Sequence, residues 1–326
     1  MSSDALLDIE HLSVSFRTDR GKVRAVSDLS LSLKRGETLA IVGESGSGKS
    51  VTALSILRLL GDNGVIDHGR VAFEGQNLLS LSPDEIRRIR GDRIAMIFQE
   101  PMSSLNPVLT IGKQVAEPIC LHRDKNWDEA LEIAVELLTK VAIPDAKDRL
   151  DDYPHHFSGG MRQRVMIAMA LACEPRLIIA DEPTTALDVT VQAQILALLN
   201  DLTEQSQTAL ILITHDLGVV ARYADRVAVM YGGRIVETAD AKELYANPQH
   251  PYTVGLMASI PGIEGDAGGR LITIDGQPPD LADLPSGCAF ATRCQHAHDA
   301  CRTSVPALDP VEQNPSHRSA CFGYPL

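Results

Sequence analysis

Hydrophobic and polar positions alternate loosely over residues 5–16, with Leu7, Ile9, Leu12, Val14 and Phe16 as the apolar set. A two-residue period of this kind predicts a half-buried strand. The pattern changes at Thr38-Leu39-Ala40-Ile41-Val42, an unbroken apolar run suited to a strand covered on both faces. Apolar residues then recur at Ala53, Ile56, Leu57 and Leu60, which is helical spacing, and Gly61 is the expected stop. Further strands are expected at Arg93–Phe98, Leu177–Glu182 and Ala209–Thr214, with a hairpin over 226–238 turning at Gly232-Gly233. The stretch 107–174 reads as helical. Asn126 and Glu129 make a capping box, and Ala130, Leu131, Ala134, Leu137, Leu138 and Val141 form one face. Pro144 and Pro154 interrupt it, a new helix opens at Phe157-Ser158-Gly159-Gly160-Met161, and Pro175 ends that helix. Asp188 is placed to cap a helix over Val189–Leu202. Strands alternating with helices predict an α/β fold with a parallel core.

The segment between the buried strand and the first helix carries the clearest chemistry. It reads Gly43-Glu44-Ser45-Gly46-Ser47-Gly48-Lys49-Ser50, followed by Val51 inside the helix, and matches G-x-x-x-x-G-K-S without a departure. Three glycines let successive backbone N–H groups face one anionic centre. Lys49 adds a full positive charge for phosphates, the Ser50 hydroxyl suits Mg²⁺, and the helix N-terminus is aimed at the same point. Gln99 lies just past the strand 93–98, where ligands collect in open α/β sheets, and is a candidate for Mg²⁺ or water. Taken alone, a loop glutamine is more often a solvated turn. Asp181 and Glu182 end another buried strand; Asp181 suits Mg²⁺, and Glu182 suits orienting and deprotonating a water. Ser158, Gly159 and Gly160 leave bare N–H groups at a helix start, a second anion site that can meet a nucleotide held by another subunit, or a simple cap. His215, at the end of the strand 209–214, is either a satisfied polar residue or a group within reach of a γ-phosphate. Phe16 is either an ordinary core aromatic or a platform for a base.

Composition narrows the classes. The chain has 326 residues and a formal net charge of -13, which argues against a duplex nucleic-acid binder. It contains no apolar run of membrane-spanning length, and Met1-Ser2-Ser3-Asp4 lacks the basic flank of a signal peptide. A cytosolic chain with reduced or metal-bound cysteines is expected. The character changes after about residue 240: ten of the 18 prolines lie at 248 or beyond, and four of the six cysteines at 288 or beyond. Residues 1–240 are therefore read as one domain and 241–326 as a loop-rich extension. Cys288, Cys294, Cys301 and Cys321 then serve as a staple for a segment short of core. Disulfides, zinc and an iron–sulfur cluster are the alternatives; His296, His298 and His317 are substitute ligands in the zinc case. Cys120 and Cys173 read as small buried apolar residues.

The ordered set Gly43–Ser50, Gln99, Phe157–Met161, Asp181-Glu182, Asp188 and His215 resembles the ATP-binding-cassette ATPases over roughly the first 240 residues. Phe157 and Met161 depart from the commoner Leu and Gln of the family signature, while its serine and glycines are intact. The resemblance implies a P-loop nucleotide-binding domain with a mixed sheet core, an antiparallel β subdomain and a helical signature subdomain. It also implies two chains sandwiching two ATPs with Mg²⁺. Phe16 would then stack the base, Gln99 would link Mg²⁺ to a permease contact, and Ser158–Gly160 would meet the nucleotide of the partner chain. His215 would sense the γ-phosphate.

The runs Gln99–Pro107 and His250-Pro251-Tyr252-Thr253, with the cysteine-bearing tail, are similar to the ATPase subunits of dipeptide, oligopeptide and nickel importers. That similarity implies a second, paralogous ATPase subunit, two membrane permeases, an extracytoplasmic binding protein and a peripheral place on the cytoplasmic face of the inner membrane. It also implies a [4Fe–4S] cluster on the four cysteines, with zinc as the alternative. Nickel or glutathione import is the nearest rival. A soluble ATPase of the same group acting on nucleic acid or ribosomes is a rival of a different class. The short gap between loop and signature, the single cassette and the acidic charge speak against it.

Overall fold

The computed structural model describes residues 5–19, 21–100, 104–185, 187–259 and 274–323. Met1–Asp4, Pro101, Met102 and Ser103 of the Gln99–Pro107 run, and Ala186 lie outside the described residues. The chain divides into two compact units. The first comprises residues 1–33, 38–79 and 213–326, and the second 34–37 and 80–212.

In the first unit, β1 (Ala5–Thr18), β2 (Gly21–Lys34), β4 (Gly64–Phe73) and β5 (Gln76–Asn77) form a sheet in the order β2-β1-β4-β5. β1 and β4 are antiparallel, with Leu7 opposite Phe73, Ile9 opposite Val71 and Phe16 opposite Gly64. Their register shifts between Glu10 and Val14. Gly69 stands at that irregularity with φ +117, and a Cβ there would lie 2.6 Å from the Leu12 Cα. β2 was not among the expected strands, although Leu29, Leu31 and Leu33 alternate with serines as a half-buried strand requires.

The same unit holds β3 (Thr38–Val42), every residue of which is buried. β3 runs parallel to β9 (Arg226–Tyr231), which turns through Gly232-Gly233 into antiparallel β10 (Arg234–Asp240). Both turn glycines have positive φ. The chain beyond 240 continues this sheet. β12 (Asn314–Ser319) pairs with β10, and β11 (Asp309–Val311) pairs with β12. Tyr252, Met257 and Phe290 share one hydrophobic core with Ala40, Val42, Val229 and Tyr231. A short, proline-rich segment cannot enclose a core of its own, so it buries its aromatics in the existing one.

The helix after the loop, Lys49–Ile56, is shorter than the pattern predicted. Arg58 adopts φ +53; its N–H bonds to Ser55 O at 3.1 Å, and Leu59 N–H bonds to Leu54 O at 2.8 Å. These are the two bonds of a Schellman ending, built here on arginine instead of Gly61.

In the second unit, β6 (Ile94–Ile97) lies parallel to β7 (Leu177–Asp181), with Ile94 opposite Leu177 and Ile97 opposite Ala180. β8 (Ala209–Thr214) flanks β7. The helices Ile111–His122, Trp127–Lys140, Gly159–Leu171 and Val189–Ser206 also belong to this unit. The capping box of Asn126 and Glu129 is formed. Cys173 is buried, and its thiol donates to Pro118 O at 3.4 Å; Cys120 is only half-buried.

Candidate functional site

The loop after β3 is shaped by glycines that no other residue can replace. A Cβ on Gly43 would stand 2.1 Å from Met230 O, and one on Gly48 2.5 Å from Ala25 O. Gly48 caps the helix Lys49–Ile56 with φ 103, and no acidic residue occupies the first turn, so the dipole end stays positive. Lys49 is 5% exposed, and its Nζ donates to Gly43 O at 2.8 Å and Glu44 O at 2.9 Å. The ammonium is therefore held over the loop it belongs to. Ser47 is buried, and its Oγ finds no hydrogen-bond partner among the described residues. A buried hydroxyl without a partner in a glycine-rich loop fits a phosphate-binding loop. Ser50 and Val51 follow on the helix's first turn.

Glu44 is engaged on three sides. Its N–H donates to Tyr252 Oη at 2.8 Å, its carbonyl accepts from Lys49, and its carboxylate pairs with Arg293. Sequence reasoning missed Tyr252 and Arg293 as neighbours of this loop. The run His250–Thr253 was singled out, and that was the available signal. Phe16 is half-buried on β1; a Cβ on Gly64 would meet its ring at 3.1 Å. His215 is exposed after β8, beside Asp216, whose N–H bonds to Thr214 Oγ1 at 3.0 Å and whose side chain caps the helix Leu217–Tyr223.

The second unit gathers the carboxylates. Asp181 is 5% exposed at the end of β7. Glu182 follows with φ +45, a left-handed conformation that turns the chain sharply away from the strand direction. Its Oε2 accepts from Gln99 Nε2 at 3.0 Å and from Thr185 Oγ1 at 2.9 Å. Gln99, Glu182 and Thr185 thus form one hydrogen-bonded group. Ser158 caps the helix Gly159–Leu171 through Met161 N–H at 3.4 Å, and Asp188 caps the helix Val189–Ser206 through Val191 N–H at 3.0 Å. The two caps are neighbours. A Cβ on Gly160 would stand 2.8 Å from Val191 Cγ1, and one on Gly159 would stand 3.3 Å from Leu187 Cδ2.

Cys288, Cys294, Cys301 and Cys321 line a single recess with His250, His296, Phe290 and Phe322. None of the cysteines is in a disulfide. Burial pushes the thiols of Cys288, Cys294 and Cys321 up from their ordinary value, and the negative charge of neighbouring thiolates adds to this. Four cysteines on one recess are a candidate donor set for a cationic group. Among the described residues no group of three or more His, Cys, Asp or Glu side chains is arranged to hold a metal ion. His317 does not line the recess. It is fully buried, with Nε2 2.7 Å from Glu237 Oε1.

Comparison with known proteins identifies the family. Residues 26–185 match the model of the ABC transporter family, and residues 236–301 match the oligopeptide/dipeptide transporter C-terminal region. The chain is 54% identical over 334 residues to a putative peptide import ATP-binding protein of Brucella abortus, covering 99% of this chain and 98% of that protein. It is 51% identical over 320 residues to the oligopeptide transport ATP-binding protein OppD of Escherichia coli, covering 98% and 94%. The chain belongs to the ABC transporter family. Within it, the C-terminal match places the chain among the oligopeptide and dipeptide transport ATPases. Among solved structures, a dimeric ATP-binding cassette in a post-hydrolysis state bound to ADP and phosphate superposes with a TM-score of 0.65 at 29% identity, over 72% of this chain and 98% of that one. A component of an ABC transporter complex from Clostridium perfringens gives 0.63 at 28% identity, over 75% and 92%. The fold is that of the ABC ATPase cassette, and its nucleotide is ATP. Among the described residues no helix is long and apolar enough to cross a membrane.

Proposed function

We propose that this ABC ATPase energises the import of dipeptides or oligopeptides through a membrane transporter. The observation that carries the reading is the match of residues 236–301 to the oligopeptide/dipeptide transporter C-terminal region, in a chain whose relatives are peptide import ATP-binding proteins. In this reading the chain works at the cytoplasmic face of the cell membrane, beneath two permease subunits and beside a second ATPase chain. An extracytoplasmic binding protein delivers the peptide. The division into an ATPase domain (1–240) and a C-terminal extension (241–326) is part of the same proposal.

Gly43–Val51 grips the phosphates of ATP, with Lys49 on the terminal ones. Ser50, Asp181 and Gln99 hold or position Mg²⁺, which supplies charge neutralisation at the phosphates. Glu182 takes the proton of the attacking water, its carboxylate held by Gln99 and Thr185. His215 senses the γ-phosphate, and Phe16 stacks the base. Ser158–Gly160, with Asp188 beside it, meets the nucleotide held by the partner ATPase. A triphosphate bridging two chains closes them, and loss of its terminal phosphate lets them part. Cys288, Cys294, Cys301 and Cys321 hold a [4Fe–4S] cluster that braces the C-terminal segment; zinc is the alternative. The shared recess supports this assignment.

The test is reconstitution of this chain with its permeases, binding protein and ATPase partner in vesicles, followed by uptake of labelled peptides. ATP-dependent accumulation of peptides of two to several residues is expected. ATP hydrolysis that responds to nickel chelates or glutathione, and not to peptides, would overturn the substrate assignment.

A further inference from the structure

The phosphate loop contains a carboxylate that is poorly suited to its task. Glu44 is the second residue of a loop that must hold the negative charges of a triphosphate, and an uncompensated anion there repels the ligand. The structure supplies the compensation from 249 residues away. Arg293 Nη1 meets Glu44 Oε2 at 2.7 Å, and Arg293 Nη2 meets Glu44 Oε1 at 3.1 Å, a two-point pairing of planar groups. The arginine side chain is 5% exposed and the glutamate 24%.

The guanidinium is fully committed. Its remaining N–H groups donate to Tyr231 Oη at 3.2 Å, Ile274 O at 3.3 Å and Asp275 O at 2.9 Å. Its carbon lies 5.9 Å from the Tyr231 ring centroid and 6.0 Å from that of Phe290. Tyr252, wholly buried, holds the Glu44 N–H from the same region. Arg293 also belongs to the turn that carries a recess cysteine, since Arg293 N–H and Cys294 N–H both bond to Phe290 O, at 2.9 and 3.0 Å. One turn therefore faces the phosphate loop on one residue and the cysteine recess on the next.

We propose that Arg293 is a positioning residue for nucleotide binding, which cancels the Glu44 charge and fixes the phosphate loop, so that ATP affinity depends on the C-terminal segment. The inference rests on the phosphate loop's binding ATP. If wild-type protein bound no ATP, that reading would fail; the inference is tested by how the variants differ from a wild type that binds.

The experiment measures Mg·ATP affinity and the KM and kcat of hydrolysis for the full chain as wild type, Arg293→Met, Glu44→Gln and the double variant, with the melting temperature of each. Arg293→Met is expected to weaken ATP binding roughly tenfold or more, the size of an interaction between unit charges several ångströms apart in a partly buried site. The loss should fall on KM more than on kcat. Adding Glu44→Gln is expected to restore most of the affinity, because the uncompensated carboxylate is then gone. A merely structural arginine would not be rescued by that change. If Arg293→Met does not fold, Arg293→Lys keeps the charge and loses the two-point pairing; a several-fold weakening, relieved by Glu44→Gln, is expected. Unchanged ATP affinity in the folded arginine variant, or a double variant no better than the single, would overturn the proposal.

Discussion

Gln99 and Glu182, 83 positions apart, are joined by a hydrogen bond of 3.0 Å from the Gln99 amide to Glu182 Oε2. Thr185 Oγ1 donates to the same oxygen at 2.9 Å. Glu182 reaches this pair by leaving β7 in a left-handed conformation, φ +45, which separates its direction from that of the buried Asp181. Two adjacent carboxylates thereby occupy different environments, which suits the metal-holding and proton-accepting roles proposed for them. Glu182→Gln keeps the size of the side chain and removes the base. Turnover is expected to fall about 100-fold or more, with ATP affinity retained. Steady-state hydrolysis beside equilibrium nucleotide binding checks this, and turnover equal to wild type would remove Glu182 from the role.

The tightest backbone constraint lies at Gly43. A methyl group there would stand 2.1 Å from Met230 O, at φ +153. The carbonyl belongs to β9, which pairs with β3, so it cannot retreat without breaking the sheet. Gly43→Ala is expected to cost more than about 2 kcal/mol through strain and overpacking. Urea denaturation of the variant beside wild type measures it.

The buried pair of His317 and Glu237 makes stability depend on pH. Burial alone would push the His317 imidazolium towards deprotonation. The hydrogen bond and charge of Glu237, with Glu243 3.5 Å from the other ring nitrogen, outweigh burial and hold the group above its ordinary value. A histidine whose folded pKa is raised contributes fully below its unfolded pKa and loses that contribution as pH rises through the folded value. His317→Gln is thus expected to cost about 1–3 kcal/mol near pH 6, since Glu237 keeps the N–H groups of Gln249 and His250. The gap from wild type should narrow as the pH is raised. Urea midpoints of both proteins across pH 6 to 9 test the sign, and a gap that widens with pH would contradict it.

The cysteine recess makes an analytical prediction. Protein purified without oxygen is expected to contain iron and sulfide in equal amounts, both lost in Cys294→Ser. Stoichiometric zinc without sulfide would replace the cluster with a single ion.

Those parts of the molecule whose chemistry is local were legible in the sequence. The loop Gly43–Ser50 declares itself because eight consecutive residues carry its requirements. β3, β6, β7 and β8 are buried apolar runs, and Asn126, Ser158 and Asp188 cap helices because a cap needs only its own first turn. What escaped is set by distant partners. No local pattern shows that Arg293 ends against Glu44 or His317 against Glu237, since both depend on how the tail packs. β4 was missed because polar and glycine positions at Asp67, His68 and Gly69 interrupt its alternation. The early end of the first helix at Ile56 escaped because arginine, not glycine, takes the left-handed position.

In the proposed function ATP sits on the phosphate loop, and its hydrolysis drives the chain. Lys49 Nζ lies within 2.9 Å of two loop carbonyls, and in the proposed function it supplies the charge for the phosphates of ATP. The most direct measurement compares Mg·ATP binding and hydrolysis by wild type and Lys49→Ala. The variant is expected to fold, bind ATP far more weakly and turn over negligibly; affinity and turnover equal to wild type would remove the loop from ATP binding.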